Sequence, residues 1–556
     1  MINKIFKIYM KRTLILLLTI TLLATCKTVP VPSLADFAIV PLQGMDDETL
    51  FRTITRELSD DSFGGRKPLT PFEEPVLEYI SGRFKEAGLE PAAEGSYFQP
   101  VPLLSVFSHL KNDEIIVTGA NGAVNLRNGN DIVVWTLRAE ERLKIEDMEF
   151  VFVGFGIHAP EYDWDDYAGV DVEGKVAVMM VNDPGFFDEN LFRGKNMTYY
   201  GRWTYKFAEA GRRGAAAALI IHDTDPASYG WNVVESSRSS ASLALYNEED
   251  NKKLIPFQGW ITGESAQKLF DAAGVSLEES LATAKTKEFK GFPLNLKTTI
   301  ELTNDVEFGV SQNVVGILPG TSQKDEYILY TGHWDHLGIG IPVDGDSIYN
   351  GAIDNATGIA AMILIARRFN ELPERPKRSI VFLAVTAEET GLLGARYYVE
   401  NPIFPLSKTV ICLNMDSYPG SMRTSDVILS APGLSADTDR YVIDAAATQG
   451  RRVTYSYDDP SGTFFRSDHF PFVQKGVPVV LAKGGSEYID PEAAAAYKAK
   501  YHDENYPPYH MPADEYFDWW DVSGSLEDIY LFYGIGLRLA NDGFFPQWNE
   551  NVGFAE

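Results

Sequence analysis

The chain of 556 residues is 45% apolar and 12% aromatic with 46 Gly and 30 Pro, a globular composition long enough for about two to four domains. Its 49 Lys and Arg face 78 Asp and Glu, a net charge of −29, so a nucleic-acid backbone is a repelled partner. Two cysteines exclude a disulfide framework and a thiolate zinc cage, which leaves histidine and carboxylates as the metal ligands on offer.

At the N-terminus, Lys4, Lys7, Lys11 and Arg12 precede an apolar run from Leu14 to Ala24, too short to span a bilayer and the length of a secretory leader's hydrophobic region. Residues 1–25 read as a signal peptide, with Met10 as an alternative start. The run ends in Leu23-Ala24-Thr25-Cys26, which resembles a bacterial lipobox with Thr25 in place of the usual Gly, Ala or Ser. This predicts export and a lipid anchor on Cys26 at the cell envelope, in periplasm or outer membrane; the alternative is plain secretion. Loss of the leader removes four positive charges and no negative one, taking the net charge from −29 to −33. Residues 26–45, with Pro30 and Pro32, read as a tether. Cys412, in the apolar run Thr409 to Leu413, reads as a small buried hydrophobe.

Helical spacing in Leu50-Phe51-Ile54-Leu58 and Val76-Leu77-Ile80-Phe84, with Gly88 as a stop, predicts two helices at the start of the mature fold. Three strand-like runs follow, Glu149 to Val153, Lys175 to Val181 and Ala217 to Ile221, with a helical stretch from Tyr205 to Arg213 and a helical tail near Ala266 to Ala273. Further strand-like runs are Asn313 to Leu318, Tyr327 to Thr331, Arg378 to Val385, Thr409 to Asn414 and Val477 to Ala482, alternating with helical patterns of which Asn355 to Leu372 is the clearest. The fold class is therefore α/β, a mixed and mainly parallel sheet flanked by helices. Ligand residues should collect at the carboxyl ends of its strands.

Three of those runs end in acid or histidine: Tyr-Thr-Gly-His333-Trp-Asp335-His336, Val-Thr-Ala-Glu388-Glu389 and Leu-Asn-Met-Asp416. Asp354 lies before a helix that Asn355 could cap, and His510 lies in a Pro-rich loop. Each signal is weak alone; His333 by itself is more often a hydrogen-bonded loop histidine than a ligand. Together His333, Asp354, Glu389, Asp416 and His510 make a nitrogen and carboxylate set of the kind a pair of zinc ions takes.

The segments GHWDHLG (332–338), GAIDNATG (351–358), AEETGLLGA (387–395), NMD (414–416) and YHMPADE (509–515) resemble the exopeptidase family with two co-catalytic zinc ions, that of bacterial leucyl aminopeptidases, aminopeptidase Y and glutamate carboxypeptidase. The run from Val153 through Asp165-Asp166-Tyr167-Ala168-Gly169 to Val176 resembles a protease-associated domain, an insert without catalytic residues. The implied organisation is an N-terminal part of the peptidase domain at 46–140, the inserted lobe at 141–275 and the catalytic domain at 290–548.

The resemblance implies that His333 and Asp416 hold one Zn²⁺, Glu389 and His510 the other, and that Asp354 bridges them. It gives Glu388 the role of general base and places Tyr509 where some relatives stabilise the tetrahedral oxyanion, while Asp335, two residues from His333 and hence on the same strand face, reads as the carboxylate that orients its imidazole. Asp468 and His469, in Ser467-Asp468-His469-Phe470-Pro471-Phe472, are candidate substrate contacts. His336 and His502 read as supporting residues. Expected substrates are short peptides. The leading activity is aminopeptidase; alternatives are a carboxypeptidase of the same family, glutaminyl cyclase-like acyl transfer on one zinc, and a binding ectodomain without activity. The oligomeric state is not legible.

Overall fold

The computed structural model describes residues 42–236, 241–430, 434–456, 458–500 and 509–549. The leader, Cys26, most of the tether and His502 lie outside them. Among the described residues, no helix is long and apolar enough to cross a membrane.

Helix α1 (Asp47–Leu58) starts where the Asp46 carboxylate accepts the Thr49 N–H at 2.8 Å, and its apolar stripe Leu50, Phe51, Ile54 and Leu58 is buried. A tight turn then leads to α2 (Glu73–Glu86). Gly65 in that turn has φ +68°, and a Cβ there would lie 2.5 Å from the Tyr349 carbonyl oxygen, so only glycine lets the two segments meet. Strands β1 (Phe98–Leu110), β2 (Ile132–Trp135), β3 (Arg142–Phe152) and β4 (Val176–Met180) follow. After α3 (Trp203–Arg212) come β5 (Ala217–His222), β6 (Phe257–Thr262) and α4 (Gly263–Ala273). The long strand β7 (Phe292–Leu318) leads into β8 (Gln323–His333), α5 (Thr357–Asn370), β9 (Arg378–Val385) and β10 (Thr409–Asn414). Helix α6 (His469–Gln474), β11 (Val479–Val480) and α7 (Ser523–Asp542) complete the frame.

The main sheet runs β11-β10-β8-β9-β7-β3-β4-β5-β6-β2. Strands β9, β8, β10 and β11 are mutually parallel, and β9 pairs antiparallel with the end of β7, Leu318 facing Ile380 and Val314 facing Ala384. All eight residues of β9 are buried, as expected of a strand covered on both faces. Helix α5 is buried nearly all round because it lies between the sheet and helices α1 and α7; the Tyr330 hydroxyl of β8 donates to the Phe532 carbonyl of α7 at 3.0 Å.

Strand β7 carries the sheet from one lobe into the other. Its residues 292–303 pair with β3 and its residues 302–314 with β1, before the pairing with β9. The lobe so built has apolar residues on both faces of its parallel strands, Val176 and Val178 on one and Ala177 and Met179 on the other. Strand pairing draws Ile132–Trp135 and the hairpin of Glu114–Gly119 with Gly122–Arg127 into this lobe, so its sheet takes in residues on both sides of 141–275. Its loop at 196–199 reaches the other lobe, where Met197 N donates to the Asp459 carbonyl at 3.0 Å and Tyr199 packs on Phe470.

Candidate active site

Because β8, β9 and β10 run parallel, their carboxyl ends fall on one edge, with His333 opposite Val385 and Thr331 opposite Asn414. His333 is the last residue of β8, Glu388 and Glu389 follow β9 by three and four residues, and Asp416 follows β10 by two. The turn before α5 brings in Asp354, and the loop before α7 brings in His510.

Asp354 stands between the two histidines. Its Oδ1 is 3.2 Å from His333 Nε2 and its Oδ2 is 3.5 Å from His510 Nε2. Asp416 Oδ1 lies 3.7 Å from His333 Nε2 and Glu389 Oε2 lies 2.9 Å from His510 Nε2. Ligand atoms of His333, Asp354 and Glu389 lie within 4.8 Å of one another, as do those of His333, Glu388 and Asp416. All five residues that the sequence marks as ligands therefore converge. The donor set of imidazole nitrogen and carboxylate oxygen suits Zn²⁺. His510 Nε2 is buried and points at Glu389 and Asp354, as a ligand nitrogen would.

Adjacent Glu388 and Glu389 are driven apart electrostatically. Burial pushes the Glu388 carboxyl well above the usual range, and the neighbouring charges of Glu389, Asp468 and Asp416 push the same way, outweighing His333. Burial would also raise Glu389, but the rings of His510 and His336 outweigh it and hold this carboxyl at about 2. His336 Nδ1 lies 2.6 Å from Glu389 Oε1, so His336 orients Glu389. For His333, burial opposes a charge on the ring, yet Glu388, Asp354 and Asp416 raise its pKa well above normal. The backbone bends sharply here: Ala387 (φ +54°), Ser417 (φ +61°) and His510 (φ +56°) all occupy the left-handed region beside or at the functional side chains.

Asp335 is 1% exposed and does two things. Its backbone carbonyl lies 3.1 Å from His333 Nδ1, nearer than its carboxylate at 3.9 Å. The carboxylate instead accepts the backbone N–H groups of Glu388 at 3.0 Å and Glu389 at 3.4 Å. Where the sequence reading has this carboxylate orient the imidazole, the structure gives that contact to the carbonyl and spends the carboxylate on the glutamate turn. The reason is geometric: the chain leaves the sheet right after His333, so the strand alternation behind that reading has already ended.

Tyr509 stacks on the His510 ring at 3.8 Å between centroids and is 62% exposed, on the open side of the site. Asp468 and His469, read as substrate contacts, are 0% and 1% exposed and lie beneath the wall rather than on it. His469 Nε2 bonds the Phe464 carbonyl at 2.7 Å, and burial holds its pKa at about 4, hence neutral. Neither Asp468 oxygen has a hydrogen-bond partner, and burial pushes this carboxyl well above normal.

Three contributors escape the sequence reading. The Ser467 hydroxyl, which accepts from the Asn414 amide at 2.6 Å, donates to Asp416. Asp514 accepts backbone N–H groups of the Asp354 turn. Arg66 spends its guanidinium on backbone carbonyls beside His333 and Asp354. Asp514 lies within the distinctive YHMPADE segment, which is the signal that could have found it; no local pattern marks Arg66 or the role of Ser467.

Residues 313–529, which contain every ligand candidate, match the family model described as Peptidase family M28. The chain carries an M28 peptidase domain. Among curated relatives, this chain is similar to Aminopeptidase NAALADL1 of Mus musculus, 32% identical over 130 residues, 22% of this chain and 16% of that protein. It is also similar to Probable glutamate carboxypeptidase VP8 of Zea mays, 27% identical over 267 residues, 44% of this chain and 32% of that protein. The matches thus span from about a sixth to a third of the length of these relatives. The solved structure of an aminopeptidase from Aneurinibacillus sp. strain AM-1 shares the fold, with a TM-score of 0.51 and 18% identity over 92% of this chain and 97% of that one.

Proposed function

We propose that this chain is an exported zinc metallo-exopeptidase, an aminopeptidase that removes N-terminal residues from short peptides with two zinc ions. The observation that carries this reading is the bridging place of Asp354 between His333 and His510, with two neighbouring glutamates held in opposite protonation regimes beside it. His333 and Asp416 would hold one ion, Glu389 and His510 the other, and Asp354 both. Zinc bound there lowers the pKa of water towards about 7 and polarises a carbonyl.

The chain's own residues do the rest. Glu388, whose environment favours taking up a proton, accepts one from the attacking water and delivers it to the departing amine. Asp335 fixes the turn that aims Glu388, and Ser467 fixes Asp416. The exposed phenol of Tyr509, braced on His510, is available to donate to the tetrahedral oxygen.

One observation favours a carboxypeptidase as the second reading. Arg202 and Arg466 lie near enough for their like charges to act on one another and for each to interact with Tyr509, with Arg202 Nε buried and unpartnered. Burial, together with the like charge of Arg466, pulls the Arg202 guanidinium down to about 10, an arrangement that a substrate carboxylate would relieve. Elemental analysis of the purified chain, with hydrolysis of free-amino and N-blocked dipeptides on the same sample, separates the readings. Two zinc ions and cleavage of free-amino substrates alone are expected. Cleavage of blocked substrates would transfer the reading to carboxypeptidase. About one zinc or none without hydrolysis would sink both in favour of a cyclase or a binding ectodomain. Export and the lipid on Cys26 rest on the leader's composition, and membrane fractions that retain Cys26→Ser as well as wild type would remove the anchor.

A further inference from the structure

Arg66 lies in the N-terminal segment, outside the matched domain, and is 1% exposed. Its Nε donates to the Trp334 carbonyl at 2.8 Å, one Nη to the carbonyls of Leu58 at 2.8 Å and Asn350 at 2.5 Å, and the other Nη to that of Gly351 at 2.8 Å. Trp334 directly follows ligand His333, and Asn350-Gly351 begin the turn that ends in Asp354. The other side of the same turn belongs to Asp514, which is 3% exposed. Its carboxylate accepts from Ile353 N at 2.9 Å and Asp354 N at 3.1 Å, and its backbone carbonyl accepts from Ala352 N at 2.9 Å. A buried cation therefore holds the turn's carbonyls and a buried acid holds its amides.

We propose that Arg66 and Asp514 are positioning residues that clamp the Asp354 turn from both sides and so set where the bridging carboxylate stands between His333 and His510. Neither side chain touches the reacting atoms; both act through Asp354. Arginine suits the task because a planar fork can serve carbonyls from three separate segments at once, whereas a lysine ammonium is a single point on a flexible stem. Asp514 also joins the turn to the loop that supplies His510, four residues earlier, so the clamp couples the two ends of the site. A plain staple for the N-terminal segment would make the same bonds. The two roles part in what they change: a staple alters melting of the metal-free protein, a clamp alters how tightly the folded protein holds metal.

This inference rests on the two-zinc reading. The test uses full-length Arg66→Lys and Asp514→Asn, with zinc affinity from competition against a chromogenic chelator, kcat and KM on a dipeptide, and melting of the metal-free proteins by circular dichroism. Zinc affinity should fall about 10–100-fold in each, the range for groups that support ligands. The value of kcat should fall in step while KM stays within about twofold, and the metal-free proteins should still fold. Wild-type zinc affinity and kcat in the folded variants would overturn the clamp, as would an activity loss that vanishes well below each variant's melting temperature. If only one variant folds, it decides by the same readouts; if neither folds, the staple stands and the clamp falls. A wild type that takes up no zinc ends the two-metal reading and this inference with it, whereas zinc-loaded wild type beside an unaltered variant ends the clamp alone.

Discussion

Glu388→Gln is expected to leave the fold and the zinc content unchanged while turnover drops by about 10²–10⁴-fold, the usual contribution of a positioned acid or base. Glutamine keeps the shape and the backbone N–H that Asp335 accepts at 3.0 Å, but it cannot take a proton. The neutral amide also suits the site, since burial and the charges of Glu389, Asp468 and Asp416 all disfavour ionised Glu388 and favour an uncharged group there. The metal-free variant should therefore be no less stable than wild type, which makes the activity loss a chemical effect and not an unfolding one. Steady-state kinetics with elemental analysis of the same sample checks this. Zinc loss on this substitution would show that the two glutamates have exchanged roles, and near-normal turnover would remove Glu388 as the proton carrier.

Asp354→Asn should have the larger effect on metal. One carboxylate reaches His333 with Oδ1 and His510 with Oδ2, so the substitution removes the shared negative charge and turns one of the two oxygens into a donor. Burial works against the Asp354 anion, yet the two imidazoles hold its carboxyl well below the normal range, which measures how strongly this position favours negative charge. Zinc affinity is expected to fall by more than about 100-fold, beyond the range for supporting groups, and zinc content to drop below two per chain with turnover lost. Competition titration and elemental analysis read both quantities. Retention of two tightly bound ions in Asp354→Asn would rule out a bridging carboxylate at this position.

Much of the frame is legible in the sequence. The apolar stripes of α1 and α2, all eight residues of β9, all six of β10 and the core of α5 follow from apolar periodicity and nearby stop signals. The joining of the two lobes is not. Residues 292–312 of β7 escape a reading by pattern although Leu294, Leu296, Ile300 and Leu302 alternate with exposed residues over part of it, because polar Thr298 interrupts the apolar pattern and a 27-residue strand is far longer than the usual five or six. Strand β1 is likewise absent from the elements that the sequence predicts.

The five ligand candidates, Glu388 and Tyr509 stand out in the sequence because each sits beside a strand end or in a short distinctive segment, and parallel strands bring such ends to one edge. What their environments do to them depends on distant residues. His336 meets Glu389 across 53 positions, Asp514 meets the Asp354 turn across 160, and Arg66 meets it across 284. Asp468 and His469 illustrate the same limit, since nothing in their own segment shows that Phe464 and Asn414 enclose the histidine and that the aspartate is buried. The sequence by itself determined the strands and helices that frame the site, the candidate ligand chemistry and the edge where it gathers, because these depend on neighbours a few residues apart. Only the tertiary structure decided that Glu388 is pushed up while Glu389 is held down, that one carboxylate of Asp354 comes within 3.2 Å of His333 and 3.5 Å of His510, and that Arg66 and Asp514 grip its turn, because burial and Coulomb forces act through space between groups the chain keeps far apart.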